Sequence, residues 1–113
     1  MFKITGKTIQ ITRGDTAVVE ISMNGYSLLP NDTLTFTVKR GTEELDYLIR
    51  KVITHYNASQ HEGRAAFKLE SEDTAELRYD DYVYDVELKI NGGEHVFTII
   101  EPSTFRVMEE VSF

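Results

Sequence analysis

The sequence predicts an all-β domain in which two antiparallel sheets pack face to face as a sandwich. Three observations support this prediction: apolar and polar residues alternate with a period of two in several short segments, turn-forming residues recur about every 8–12 residues, and at most one segment resembles a helical turn. We expect about seven or eight strands. A small barrel is the alternative, whereas a parallel α/β fold is disfavoured because no amphipathic helices separate the strands.

The alternation is clearest between residues 33 and 40, where Leu34, Phe36 and Val38 share one side of the strand. Because successive side chains of a strand point to opposite faces, we expect these residues to face the core while the intervening threonines face water. The same pattern occurs in four further segments, which are residues 7–12, 16–23, 64–69 and 82–90. The pattern therefore assigns a buried face to each of these segments.

The last part of the chain contains two further strand signals. Asn91-Gly92-Gly93 is a strong hairpin signal, so we expect a return strand from about residue 94 to 100. Pro102 has no backbone N–H and interrupts the ladder, which puts a last strand at about 103–108. A proline at this point implies an edge, a bulge or a crossing between sheets.

Two segments do not follow the alternation. Apolar residues of the segment 45–56 fall at helical spacing, whereas the β-branched cluster Val52-Ile53-Thr54 favours a strand at about 48–55. The sequence leaves helix and strand open here and favours the strand. Residues 71–77 are compatible with one helical turn, for which Ser71 can serve as the cap.

Length and composition predict a single globular domain, residues 1–113, because no linker, repeat or low-complexity stretch divides the 113-residue chain. Its 19 acidic and 12 basic residues give a formal net charge of −7, which disfavours nucleic acid and anionic membranes as partners. Cysteine is absent, so disulfides and thiolate chemistry are excluded. No apolar run is long enough to span a membrane, and residues 1–7 lack the apolar core of a signal peptide.

No motif singles out catalytic residues. The sequence lacks a nucleophile elbow and a glycine-rich phosphate loop. Asp80, Asp81, Asp85 and Glu87 form an acidic cluster, but they lack the spacing of a calcium loop and are expected to form a solvated face. We therefore expect no enzyme activity, no catalytic residue and no cofactor.

Two further motifs have a structural interpretation beside the functional one. Arg13-Gly14-Asp15 is the tripeptide of integrin ligands, but it lies between two predicted strands and a tight turn accounts for it. His55 and His61 flank a short loop with Glu62 adjacent, but their spacing matches no metal-ligand pattern. We expect a turn at the first motif and no metal at the second.

Tyr79, Tyr82 and Tyr84 cluster at the start of one predicted strand. A tyrosine at this position can anchor an immunoglobulin-like sandwich by donating its hydroxyl to the backbone upstream, in a tyrosine corner. Residues 71–75 also resemble the segment before that corner in antibody variable domains. The functional alternative is that the three rings form a ligand-binding aromatic platform for sugars.

Three stretches follow one another in an informative order and spacing. They are residues 13–17 (RGDTA), residues 32–39 (DTLTFTVK) with 48–51 (LIRK), and residues 73–77 (DTAEL) followed by 82–88 (YVYDVEL) and 105–107 (FRV). In this arrangement the chain resembles the Ig-like domains of phage and prophage tail and baseplate proteins of Gram-positive bacteria, of the baseplate-upper-protein type. The resemblance implies an immunoglobulin-like fold, a strand at 48–55 and a part in virion architecture, and it brings no catalytic residues.

The resemblance leads us to expect a non-enzymatic structural or assembly domain of a phage or prophage tail or baseplate, linked to host-receptor-binding modules. Its expected partners are other phage structural proteins or further copies of the same chain, and its expected location is the virion, after synthesis in the bacterial cytoplasm. The alternative is a carbohydrate-binding or adhesion module of a bacterial surface protein, with cell-surface carbohydrate as the ligand.

Overall fold

The computed structural model describes residues 2–5, 7–23, 26–56, 59–61 and 63–110, with residues 2–5 and 59–61 described by their backbone. Within these ranges the chain forms nine β-strands, one short α-helix and one 3-10 turn. The strands are β1 (Phe2–Thr5), β2 (Thr8–Thr12), β3 (Ala17–Ser22), β4 (Thr33–Lys39), β5 (Ile49–Thr54), β6 (Ser59–His61), β7 (Arg64–Leu69), β8 (Asp81–Ile90) and β9 (His95–Met108). The helix α1 is Ser71–Thr74, and the 3-10 turn is Asn91–Gly93.

The strands form two sheets. The six-stranded sheet has the order β1-β2-β9-β8-β4-β5, and the three-stranded sheet has the order β3-β7-β6. The run β9-β8-β4-β5 matches strands G, F, C and C′ of a variable-type immunoglobulin domain, and β3-β7-β6 matches strands B, E and D. The predicted immunoglobulin-like sandwich is therefore confirmed.

The sheets differ from the prediction in detail. The described ranges contain nine strands where about seven or eight were expected. One pairing, between β2 and β9, is parallel, whereas the other pairings of the described strands are antiparallel. Both initial strands lie on the six-stranded sheet, whereas strand A of an immunoglobulin domain can adjoin strand B. As a consequence, β3 is an edge strand of its sheet.

The core lies between the two sheets and contains most of the residues that the alternation assigned to it, together with Leu28, Ile49 and Ile53 from segments outside that pattern. On β4, the apolar residues are fully buried and the threonines between them are half-buried. Phe36 lies at the centre of this core, with its ring centroid 4.9 Å from that of Phe67, 5.5 Å from that of Tyr84 and 6.1 Å from that of Phe105. Since Phe67 belongs to one sheet and the other three rings to the second, these aromatic contacts hold the two sheets together.

The segment 45–56 contains a strand, as the sequence favoured. β5 covers Ile49–Thr54 and pairs with β4 along its whole length. The helical alternative is wrong, and the position of Leu45 shows why: its side chain is 94% exposed and shares no buried face with the apolar residues that follow. The β-branched residues of this segment decided its conformation.

The region around Pro102 is continuous with the strand before it. β9 runs through the proline as one strand, so the prediction of two separate strands is wrong, while the predicted bulge is present. Tyr84 lies opposite Ser103 and Val86 opposite Ile100, so β9 has one residue more than β8 in this interval. A second register shift follows directly, between Val86 and Glu87 of β8. The bulge accommodates a residue that cannot donate a ladder hydrogen bond.

The predicted helical turn is α1, and its cap lies one residue earlier than expected. Glu70, and not Ser71, is the N-cap, because the Asp73 carboxylate accepts the backbone N–H of Glu70 at 2.7 Å. Asp73 also forms a salt bridge of 2.7 Å with Lys51 on β5. The turn is thereby attached to the opposite sheet.

Replacing Phe36 with alanine should destabilise the domain strongly. We expect Phe36→Ala to lower the free energy of unfolding by about 4 kcal/mol, because it removes a fully buried ring and leaves a cavity between the sheets. Urea unfolding followed by circular dichroism measures the effect. Leu45→Ala is the control and should change the stability by less than about 0.5 kcal/mol. Equal effects of the two substitutions would contradict the assignment of the core.

Candidate functional site

Tyr82 forms the tyrosine corner that the sequence predicted. It lies at the start of β8 with its ring in the core, and its hydroxyl donates to the backbone carbonyl oxygen of Arg78, four residues upstream, at 2.9 Å. This bond fixes the chain as it crosses from the end of α1 to the six-stranded sheet. The role of Tyr82 is therefore structural.

Tyr84 is also part of the core. Tyr82 and Tyr84 are 4% and 2% exposed, respectively, because both belong to the inward-facing half of β8. The hydroxyl of Tyr84 donates to the backbone carbonyl oxygen of Lys7, and burial raises the pKa of Tyr84 above its ordinary value. The platform that would combine Tyr79 with these two rings is not formed, since strand alternation turns them away from the surface.

Tyr79 is the one member of this trio that reaches the surface. Its side chain is 45% exposed. The guanidinium of Arg13 lies over its ring, 4.3 Å from the centroid, and also donates to the Tyr79 hydroxyl at 2.7 Å. The ring is thus covered on one face by a cation–π contact within the domain.

Arg13 connects the first part of the chain to its last described residues. Its guanidinium donates two hydrogen bonds to one carboxylate oxygen of Glu110, at 2.7 and 3.1 Å, and a longer one to the carbonyl oxygen of Leu77 at 3.4 Å. Its backbone N–H donates to the carbonyl oxygen of Met108 at 3.0 Å. The arginine of the Arg-Gly-Asp motif is therefore engaged inside the fold.

The rest of that motif forms the predicted tight turn between β2 and β3. Gly14 has a φ of +84°, a conformation that favours glycine. Its N–H donates to Oγ1 of the fully buried Thr74 at 2.8 Å, and the N–H of Asp15 donates to the carbonyl oxygen of Thr12 at 3.0 Å. The motif has a structural function: it joins the turn after β2 to α1.

At the opposite end of the sandwich, the buried residue Asp32 organises two loops. Its carboxylate accepts the hydroxyl of Tyr26, the backbone N–H of Leu29 at 2.9 Å and the backbone N–H of Asn91 at 2.9 Å. The N–H of Gly92 donates to the carbonyl oxygen of Asn31 at 2.8 Å. The loop before β4 is thereby fastened to the hairpin between β8 and β9.

These contacts shift the pKa of both ionisable partners. Burial by itself would raise the pKa of Asp32, but the hydrogen bonds from Tyr26, Asn91 and Leu29 stabilise the carboxylate, and its pKa lies below the ordinary value. The bond to Asp32 and burial raise the pKa of Tyr26 to about 12. Both groups therefore keep their charge state across the physiological pH range, and neither is poised for proton transfer near neutrality.

The acidic residues of β8 lie on the outer face of the six-stranded sheet, as the sequence predicted. Asp85 lies opposite Thr37, and Glu87 lies opposite Thr35. Burial and the neighbouring Glu87 raise the pKa of Asp85, while Lys39 opposes the shift. Basic residues alternate with these acids across a shallow polar depression, which is lined by Thr35, Thr37, Lys39, Arg50, Asp85, Glu87 and Lys89.

At the base of β8, Asp81 forms a bidentate contact with Arg106 of β9, at 2.7 and 3.1 Å. The hydrogen bond from Arg106 lowers the pKa of Asp81. Asp80 accepts the backbone N–H of Asp81 at 2.7 Å. Asp80 thus contacts the backbone at the start of β8, and Asp81 forms a cross-strand pair with Arg106.

The described histidine positions do not form a metal site. Nδ1 of His55 lies 2.9 Å from the carbonyl oxygen of Leu28, so this ring is engaged with the loop before β4. The side chain of His61 and the whole of Glu62 lie outside the described residues. Over the part of the chain that the structure describes, no three His, Asp or Glu side chains converge as a metal site would require.

Among the same described residues, no helix is long and apolar enough to cross a membrane.

No family model matches the sequence, and a search of curated proteins finds none similar to it.

The sequence does not predict the hydrogen-bond networks around Asp32 and Arg13. The sequence places Asp32 directly before the predicted strand at 33–40 and Arg13 in a predicted turn, and neither position identifies what the side chain contacts. A signal for Asp32 existed, because an Asp side chain in a turn often accepts a hydrogen bond from a nearby backbone N–H. Nothing comparable pointed to the contact of Arg13 with Glu110, since the two residues are separated by 97 positions.

Neutralising Asp32 should destabilise the domain in a pH-dependent way. The folded-state pKa of Asp32 is lower than that of the unfolded chain, about 3.9, so the carboxylate stabilises the fold above about pH 4 and this contribution is lost as the pH falls through the folded-state pKa. We expect Asp32→Asn to lower the free energy of unfolding by about 2 kcal/mol at neutral pH. The difference from the wild type should shrink below about pH 4. Urea unfolding at several pH values measures it.

The exposed carboxylate of Asp81 provides the control for this experiment. Asp81→Asn breaks a surface pair with Arg106 and should cost less than about 1 kcal/mol. A loss for Asp32→Asn that stayed constant from neutral to acid pH would contradict the role assigned to the charge of Asp32.

Proposed function

We propose that this chain is a non-enzymatic structural or assembly domain of a phage or prophage tail or baseplate, where it would connect to host-receptor-binding modules. The observation that supports a role in protein–protein contact is the open edge of β3, which has a neighbour on one side only among the described strands. An unpaired strand edge is a template for another polypeptide chain.

The use of the polar side chains supports the same proposal. Arg13 and Asp32, which carry the best-developed polar networks, hold turns and loops of the domain itself. What the domain offers to a partner is therefore backbone at a sheet edge and two outer sheet faces. Surfaces of this type suit a protein partner, because backbone hydrogen bonds supply affinity and the flanking side chains supply selectivity.

The positions of the resembling stretches agree with this proposal. Residues 13–17 form the turn before β3, residues 32–39 and 48–51 lie on β4 and β5, and the third stretch lies on α1, β8 and β9. The resemblance thus extends over the framework of the sandwich, and it implies virion architecture. A formal net charge of −7 also favours protein over nucleic acid as the partner.

The test is to ask whether the chain is part of the particle. Prophage induction in a strain that carries the gene, followed by density-gradient purification, should yield particles in which mass spectrometry finds this chain at a fixed ratio to the tail proteins. Antibody labelling in electron micrographs should mark the tail end. A cytoplasmic protein of similar abundance serves as the contamination control. Synthesis of the chain during induction combined with its absence from intact particles would overturn the proposal.

A further inference from the structure

The three-stranded sheet has an unprotected edge at β3. β7 pairs with β3 along its whole length on one side, and the N–H of Met23 donates to the carbonyl oxygen of Gly63 at 2.8 Å, in register with that ladder. In an antiparallel pair, backbone groups point alternately toward and away from the neighbour. The register therefore directs the backbone N–H and C=O groups of Val18, Glu20 and Ser22 away from β7.

The other described edges carry features that discourage pairing. β5 has two adjacent basic residues, Arg50 and Lys51, while β1 and β6 have four and three residues. The part of β9 that precedes its pairing with β2 is bulged and contains Pro102. These are the devices by which proteins protect sheet edges. β3 has six residues, no proline, no basic residue and a regular register. The side chain of Val18, which lies on the outer face of β3, is 63% exposed.

We propose that β3 pairs with β3 of a second copy of this chain, antiparallel and around a two-fold axis at Val19. This arrangement makes a continuous sheet with the order β6-β7-β3-β3-β7-β6. Val18 of one copy then lies opposite Glu20 of the other, and both residues direct their free backbone groups toward the partner. The inward-facing residues Ala17, Val19 and Ile21 continue the two cores across the axis.

Self-complementarity selects this register. An axis at Glu20 would put two glutamates directly opposite each other, which destabilises a strand pair. An axis at Val18 would leave Ile21 and Ser22 opposite the Arg-Gly-Asp turn instead of a strand. The axis at Val19 pairs residues 17–21 of the two copies with one another and places Ser22 opposite Thr16, directly before β3.

The charges around β3 also favour a second copy. On β7, Arg64 forms a salt bridge of 3.2 Å with Glu20, and Lys68 lies beside Val18. The outer faces of β3 and β7 thus carry one acid and two bases, in a chain with a net charge of −7. In the proposed pair, Lys68 of one copy and Glu20 of the other flank Val18 from its two sides. Two acidic chains can therefore meet here with opposite charges close together.

This proposal deepens the proposed assembly function and rests on it, because it names one partner of the open edge. It is tested by two substitutions at Val18 in the full chain. Val18→Glu puts like charges opposite each other twice per dimer and should raise the dissociation constant of the dimer about tenfold. Val18→Lys puts opposite charges there and should leave the constant unchanged or lower it.

The design separates association from folding. Within one copy, residue 18 lies beside Lys68, so glutamate there favours the fold and lysine disfavours it. The expected order for the dimer is the reverse. Val52→Glu is the matched control, since it makes the same change at an exposed valine of the other sheet and should leave the dissociation constant unchanged. Sedimentation equilibrium up to about 1 mM measures all four proteins.

Amide hydrogen exchange locates the interface by residue. As the concentration of the wild type rises, the amides of Val18, Glu20 and Ser22 should become protected, while those of Val19 and Ile21 are bonded to β7 at every concentration. A wild type that remains monomeric at about 1 mM would overturn the proposal, as would a dimer that responds equally to all three substitutions. A monomer that is nevertheless found in phage particles would refute the self-pairing and leave the proposed function standing.

Discussion

The parallel pairing of β2 with β9 determines which surfaces of the domain are open. Ile9 lies opposite Phe105 and Ile11 opposite Val107, so both partners of each pair contribute to the core. This pairing draws the first part of the chain onto the six-stranded sheet. Because β1 pairs with β2 as a hairpin, neither strand remains to cover β3. The same pairing that completes one sheet thus exposes the edge of the other.

The pairing also explains the position of Arg13. Directly after β2, the chain must turn toward β3 in the opposite sheet, and it does so next to the end of β9. Met108 and Glu110 are therefore available to the backbone and the side chain of Arg13. Thr74 closes the turn from the other side through Gly14. A buried hydroxyl and a buried carboxylate need partners, and at both ends of the sandwich these partners are loop backbone groups.

The parts of this fold that follow from local pattern could be predicted, and those that follow from chain topology could not. β4 and β8 repeat apolar residues with a period of two, and a helix would scatter those residues over its whole surface. The tyrosine corner could be predicted because its two residues are four positions apart. The β2–β9 pairing joins residues almost a hundred positions apart, and no local pattern encodes it.

In the candidate site, too, the features that follow from local pattern could be predicted and those that follow from chain topology could not. The strand alternation that correctly assigned Leu34 and Phe36 to the core also assigns Tyr82 and Tyr84 to it. The aromatic platform for sugars is not formed, because aromatic residues at alternate positions of a strand share one face and that face is buried here. The open edge of β3 could not be foreseen, since an edge is defined by the strand that is missing beside it. Knowing which strands neighbour β3 requires the whole topology.

A sandwich with an open edge is well suited to assembly. Ordering a flexible segment on binding consumes part of the interaction free energy, whereas β3 is already held in an extended conformation by β7 and by the core. The loops at the two ends are held in place by Asp32 and Arg13, so they add little freedom that binding would have to remove. The net charge of −7 opposes random contact between copies, and the basic residues of β7 reduce that repulsion at one edge. In the proposed pair, selectivity of contact would therefore come from the one edge at which the negative charge of the chain is compensated.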